Sequence, residues 1–189
     1  MKNIIKIIIF NIFFLLSFNV SSESSNIYVI ETNRGNISIE VYPEKAPTTV
    51  RNFQNYVEKE FYNGLIFHRI IPNFMIQGGG FDKNMMQKKT NDPIKNESNN
   101  GLKNKPYTLA MARTNDPHSA TSQFFINLID NSYLNYTGKS ANKIGYCVFG
   151  EVIEGKDVVD KIGNLKTQMK NGFSDVPIKN VIIKSIKRR

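Results

Sequence analysis

Phe67-His68-Arg69-Ile70-Ile71-Pro72-Asn73-Phe74-Met75-Ile76-Gln77-Gly78-Gly79-Gly80 packs a guanidinium, an amide and several large apolar side chains into one short run. Pro72-Asn73 marks a turn, since proline fixes its own φ and asparagine tolerates the left-handed region. The run therefore reads as two short strands around that turn, with the glycines after Gln77 breaking the second. Period-two alternation sets Arg69 on the face opposite His68 and Ile70. If those two face a core, Arg69 faces out beside apolar Phe67, a poor place for a solvated charge and a good one for a binding surface. A second stretch, Ala110-Met111-Ala112-Arg113 followed by Ser122-Gln123-Phe124-Phe125-Ile126, has the same mixture. Two strands of this kind can form the floor and wall of one groove.

Outward from these stretches, the chain of 189 residues is 40% apolar and 22% charged, ordinary globular material for a single core. The formal charge is +9, but the lysines are scattered and no Lys/Arg stripe interleaves with aromatics, so no nucleic-acid partner is expected. Residues 1–22 carry basic Lys2 and Lys6, an apolar run from Ile7 to Phe18 and small residues at Val20-Ser21-Ser22. That pattern is a secretory signal peptide cut after Ser22, because the run is short for a membrane anchor and lacks a positive stop. Residues 23–189 are then one domain, with no membrane attachment after cleavage. Cys147 is the single cysteine and sits among Tyr146, Val148 and Phe149, as a buried, inert thiol would. The two histidines, His68 and His118, have no carboxylate or cysteine at metal-ligand spacing, and neither has a nucleophile partner. No metal and no cofactor is expected. Gly78-Gly79-Gly80 lacks the Lys-Ser/Thr and helix that follow a phosphate loop.

Ile27-Val29 and Ile37-Ile39-Val41 alternate as a hairpin across Thr32 to Asn36. Ala46-Pro47-Thr48-Thr49 opens a helix with Thr48 as its N-cap and Val50, Phe53 and Val57 on one stripe. Residues 82–106 are rich in Lys and Asn and without periodicity, a long loop. Residues 107–112 and 124–128 read as strands. After them come Tyr133-Leu134, a loop over 135–144, a strand at 146–149, a short helix over 155–162 and a closing strand at 181–183. Many strands with two helices, and no βαβ alternation, predict a mostly β fold built as an antiparallel barrel. Three glycosylation patterns, at Asn36, Asn96 and Asn135, are expected by chance in so asparagine-rich a chain.

The two opening stretches resemble the signature segments of the cyclophilins, the peptidyl-prolyl cis/trans isomerases, and the likeness runs from about Ile27 to the C-terminus. Ala-Met-Ala-Arg-Thr before Ser-Ala-Thr-Ser-Gln-Phe-Phe is most similar to the exported bacterial branch. The resemblance implies a closed eight-stranded antiparallel β-barrel with a helix over each end, the loop after Asp82 wrapping its outside. It also implies catalysis of rotation about X-Pro bonds, whose barrier is roughly 18–20 kcal/mol. Such a catalyst needs no nucleophile or acid, only a surface that fits the twisted amide better than either planar isomer. Arg69 would donate to the proline nitrogen as its lone pair reappears, and Gln77 would hold a substrate carbonyl. Phe74, Met75, Phe125 and Leu134 would form the proline pocket. Ala112 and Gln123 would line the same groove, and the backbone at Arg113 would grip the residue before proline. Tyr133, Tyr146 and Arg113 stand where many eukaryotic members have tryptophan, histidine and asparagine, and Asn73 replaces a more usual glycine.

The partners implied are proline-containing peptides and unfolded exported proteins, met by a monomer in the periplasm, or in the secretory pathway of a eukaryote. Two other classes fit the same residues less well: a proline-peptide-binding module with incidental turnover, and a barrel carrier of a small apolar ligand. The carrier needs a hollow interior, whereas the phenylalanines and isoleucines here suffice to fill a small barrel.

Overall fold

The computed structural model describes residues 25–189; the expected signal peptide and its cleavage point lie outside them. In chain order the elements are β1 (Ile27–Thr32), β2 (Gly35–Val41), α1 (Pro47–Glu58), β3 (Leu65–Ile71), β4 (Met75–Asp82), β5 (Thr108–Met111), β6 (Phe124–Asn127), β7 (Val148–Glu154), α2 (Lys156–Gly163), β8 (Thr167–Lys170), β9 (Phe173–Pro177) and β10 (Val181–Arg188). Eight strands close in the order β1-β10-β3-β4-β6-β5-β7-β2, each pair antiparallel, and β8-β9 form a separate hairpin. This is the mostly β antiparallel barrel that the strand pattern predicts, closed by eight strands as the resemblance implies.

Both helices plug the barrel. α1 drives Phe53 into the interior, where its ring lies 5.5 to 6.1 Å from those of Tyr28, Tyr62, Phe124 and Phe149. At the other end, Val159 and Ile162 of α2 are wholly buried in the same core. With Ile30, Ile37, Ile39 and Phe67 also at 0% exposure, the interior is a packed core and leaves a carried ligand no lumen. Cys147 lies in this core, and burial pushes its thiol up to about 11.

Four local expectations give way to packing. In β1 the buried positions are Tyr28, Ile30 and Thr32, while Ile27 and Val29 are only half-buried. Tyr28 takes the inward register because its ring packs edge-on to Phe53 while its hydroxyl accepts from Gln54 and Arg188. In β3 the register shifts between Phe67 and Arg69, so Phe67 and Ile70 both face the interior while His68 packs outward on Phe81. A bulge of this kind adds one residue and re-aims those beyond it. Arg69 still faces out, but for a different reason than simple alternation.

The glycine run does not break β4, which continues through it to Asp82. A Cβ on Gly80 would lie 2.5 Å from the Gln123 side chain; the glycine is there for cover by a neighbour. Thr48 does not cap α1 either. Ala46 is the N-cap residue and has no side-chain bond to give. Instead Glu97, far along the chain, accepts from the backbone N–H groups of Thr48 and Thr49 at 3.1 and 2.8 Å, an anion on a helix N-terminus.

That contact shows what the loop over residues 83–106 does: it is laced to the barrel by its polar side chains. Asn96 donates to the carbonyls of Pro117 and Gly145, and Asn100 donates to Val148. Nothing in the sequence marks the β8-β9 hairpin, whose strands are exposed or half-buried apart from Val176 and Pro177. Val176 pins it, fully buried against Ile66 and Met85 on the outside of the barrel.

Candidate active-site groove

Cross-strand pairing sets Arg69 opposite Gln77, Gln77 opposite Phe125, Phe125 opposite Ala110, and Ala110 opposite Val148. One row of residues thus crosses five strands on the outer face of the barrel. Met75, Ala110, Phe125 and Val148 form a buried apolar cluster there, distinct from the interior core, with Phe74, Ala112, Leu134 and Tyr146 packed around it. A cavity of about 70 Å³ opens onto this cluster, lined by Arg69, Phe74, Met75, Gln77, Ala112, Arg113, Phe125, Leu134 and Tyr146. A larger hollow of about 440 Å³ beside Lys45, Lys103 and Lys105 contains none of the residues picked out from the sequence.

Gln123 and Tyr133 stand just outside the cavity. Gln123 lines an adjoining polar hollow that shares Gln77, Ala112 and Arg113 with it, and its Oε1 accepts from Gln77 Nε2 at 2.9 Å. Tyr133 is 71% exposed and stacks on the far side of Phe74, ring centres 6.0 Å apart. It extends the apolar surface without entering the cavity.

The wall carrying Leu134 and Tyr146 has no regular secondary structure beyond 3-10 turns at Ser132–Leu134 and Ala141–Lys143, so other bonds must fix it. Three asparagines do so, all essentially buried: Asn104, Asn127 and Asn131. Asn104 donates to the carbonyls of Leu134 and Tyr146, Asn127 donates to Asn104, and Asn131 donates to Asn127 and to the Phe74 carbonyl. Gly145 lets the chain close up, since a Cβ there would run into the Leu134 carbonyl. In a chain so rich in asparagine these three carried no signal that would single them out.

Arg113 braces the same wall. Its guanidinium lies 4.5 Å from the centre of the Tyr146 ring and donates to the Ile144 carbonyl at 2.7 Å. Among the described residues, its own N–H and C=O have no backbone partner, which leaves them available to a ligand. The Arg69 side chain makes no hydrogen bond to protein among the described residues; Asp175, on β9, comes within 3.8 Å of its Nε. Sequence reasoning missed Asp175 because it lies where no element was expected.

His68, next to Arg69 in sequence, is turned away from the cavity. Burial pushes its pKa down to about 4, the Ile66 carbonyl opposing and the Arg69 charge assisting. Neither histidine lines the cavity, and neither do a cysteine, serine or carboxylate. Among the described residues no three His, Cys, Asp or Glu side chains are grouped as metal ligands. An apolar cavity with a guanidinium and an amide on its rim offers shape and hydrogen bonds, not covalent chemistry.

A family model described as "Cyclophilin type peptidyl-prolyl cis-trans isomerase/CLD" matches residues 27–188. Peptidyl-prolyl cis-trans isomerase B of Escherichia coli (strain K12) is 57% identical over 155 residues, covering 82% of this chain and 94% of that one. A peptidyl-prolyl cis-trans isomerase of Acinetobacter baylyi is 57% identical over 157 residues, 83% of this chain and 82% of its own. The crystal structure of a Cryptosporidium parvum cyclophilin in the presence of the dipeptide Ala-Pro superimposes with TM-score 0.71 at 26% identity, covering 86% of this chain and 98% of that chain. The closed barrel, the sequence match over nearly all the described residues and these relatives agree: the chain belongs to the cyclophilin-type peptidyl-prolyl cis-trans isomerases, enzymes that interconvert the cis and trans forms of X-Pro peptide bonds.

Proposed function

We propose that the isomerisation takes place in the Arg69 groove. The supporting observation is the convergence on one small cavity of an apolar floor and a guanidinium with no protein hydrogen bond among the described residues. The proline ring enters between Phe74, Met75, Phe125 and Leu134. Gln77, steadied by Gln123, holds a carbonyl of the substrate, Ala112 lines the path of the chain, and the free backbone groups of Arg113 grip the residue before proline. As the bond twists, amide resonance is lost and the proline nitrogen regains a lone pair. Arg69 donates to it, a contact that exists only near the top of the barrier and so accelerates the step. Tyr133 and Tyr146 widen the apolar surface on either side of the cavity.

The same reading extends to the cell. The basic, apolar and small-residue pattern of residues 1–22 supports export to the periplasm, where the clients are unfolded exported proteins with X-Pro bonds. The enzyme acts as a monomer, because the closed barrel leaves none of its eight strands with an unpaired edge. Two measurements test this. Titration with an Ala-Pro peptide followed by NMR should shift amides of Phe74, Met75, Gln77, Arg113 and Phe125; shifts centred on the Lys45, Lys103 and Lys105 hollow would move the site elsewhere. N-terminal sequencing of protein from a periplasmic fraction should begin at Glu23, and a full-length cytoplasmic chain would contradict export.

A further inference from the structure

We propose that Asp175 is a positioning residue for the isomerase reaction: from the β8-β9 hairpin its carboxylate steers the Arg69 guanidinium by Nε and leaves Nη1 and Nη2 to the substrate. The proposal rests on the reading of Arg69 as the catalytic donor. Asp175 Oδ2 lies 3.8 Å from Arg69 Nε, with the two side chains 35% and 40% exposed, so the pair sits at the rim of the cavity. The approach is an ion pair, longer than a hydrogen bond. Among the described residues, no other protein group engages the Arg69 guanidinium. An arginine side chain has several rotors, and one charge at the Nε end restricts them without occupying the outer nitrogens.

The backbone is arranged to present this carboxylate. Asp175 has φ of 62°, in the left-handed region that aspartate tolerates better than most residues. Ser174 Oγ donates to Oδ2 at 3.1 Å. The next residue, Val176, is wholly buried on the outside of the barrel. Phe173 packs on Phe81, which in turn packs on His68, and Lys170 donates to the Lys83 carbonyl. Asp175 is therefore held from both sides beside β3, and among the described residues it is the hairpin's one charged contact with the groove.

A double-mutant cycle measured by NMR exchange on an Ala-Pro peptide tests the proposal. Asp175→Asn keeps size and tolerates the same backbone region while removing the charge. It should lower kcat about two- to fivefold, the range open to a partly exposed pair, with KM within about twofold and thermal unfolding unchanged. Asp175→Glu should recover part of the loss. In an Arg69→Lys background, which has no Nε, Asp175→Asn should cost nothing more. The Arg69 Nε–Hε resonance, identified by its absence in Arg69→Lys, should move in Asp175→Asn. An unchanged kcat, or an equal loss in both backgrounds with an unmoved resonance, would overturn the positioning role. Wild-type rates in both Arg69→Lys and Arg69→Ala would overturn the reading of Arg69 itself. Should Asp175→Asn unfold, Asp175→Gly, which suits the left-handed backbone, must show the same kcat loss or the proposal falls.

Discussion

Gln123 can lie across β4 to reach Gln77 only because Gly80 has no Cβ, which would sit 2.5 Å from the Gln123 side chain. The pairing fixes the Gln77 amide before any substrate arrives, and pre-set groups lose less entropy on use. Gln123→Ala should therefore lower kcat/KM by about two- to tenfold, the rate equivalent of one hydrogen bond worth about 0.5–1.5 kcal/mol. Peptide exchange rates measure this; rates equal to wild type would show that Gln77 needs no support. At this scale the sequence was most informative where the order and spacing of residues matched the family's signature segments. Arg69, Gln77 and the apolar lining of Phe74, Met75, Phe125 and Leu134 were legible, and the structure brings them to one cavity. Asp175 and the asparagine trio were not, because a charge in an unpatterned stretch and an amide among many amides look like surface.

Elements show a different limit. Strand alternation and turn chemistry located the barrel strands, and Asn73 adopts the positive φ of 58° expected of it. The bulge in β3 and the cap of α1 depend on partners distant in sequence and could not be read locally. Glu97 is the example. Burial works to raise its pKa, but hydrogen bonds from Thr49 and Thr48 outweigh burial and hold the carboxyl below the usual range. A carboxyl depressed in the folded state stabilises above its unfolded value of about 4.3, and that stabilisation fades as pH falls through the folded value. Glu97→Ala should cost about 0.5–2 kcal/mol, the range for losing a helix cap, while kcat/KM stays within about twofold. Urea unfolding of the variant at pH 7 checks it. An unchanged midpoint would mean that the long loop does not support α1.

For the whole molecule, stability and turnover should respond to pH in different windows. His68 is held neutral with a pKa of about 4, against about 6.5 in an unfolded chain. The unfolded state takes up the proton first, so stability is full above about pH 6.5 and declines as pH falls toward 4, by up to about 3 kcal/mol. His68→Phe should flatten that part of the urea-unfolding profile, and a slope the same as wild type would clear His68 of the effect. No histidine, cysteine, lysine or carboxylate side chain lines the cavity. Isomerisation should therefore be nearly flat between about pH 6 and 9; a bell-shaped profile would bring a histidine into the reaction. Such a separation follows from the proposal that the packed barrel is a rigid support and catalysis is confined to the groove on its outer face. The most direct test removes the guanidinium alone. NMR exchange on an Ala-Pro peptide should show kcat/KM at least about ten- to a hundredfold lower in Arg69→Ala, the loss of a charge-assisted hydrogen bond of about 1.5–3 kcal/mol. Arg69→Lys should rescue little, peptide affinity should fall far less than turnover, and thermal unfolding should be unchanged. Exchange within about twofold of wild type, or an unfolded variant, would contradict the account and make Arg69 a structural residue.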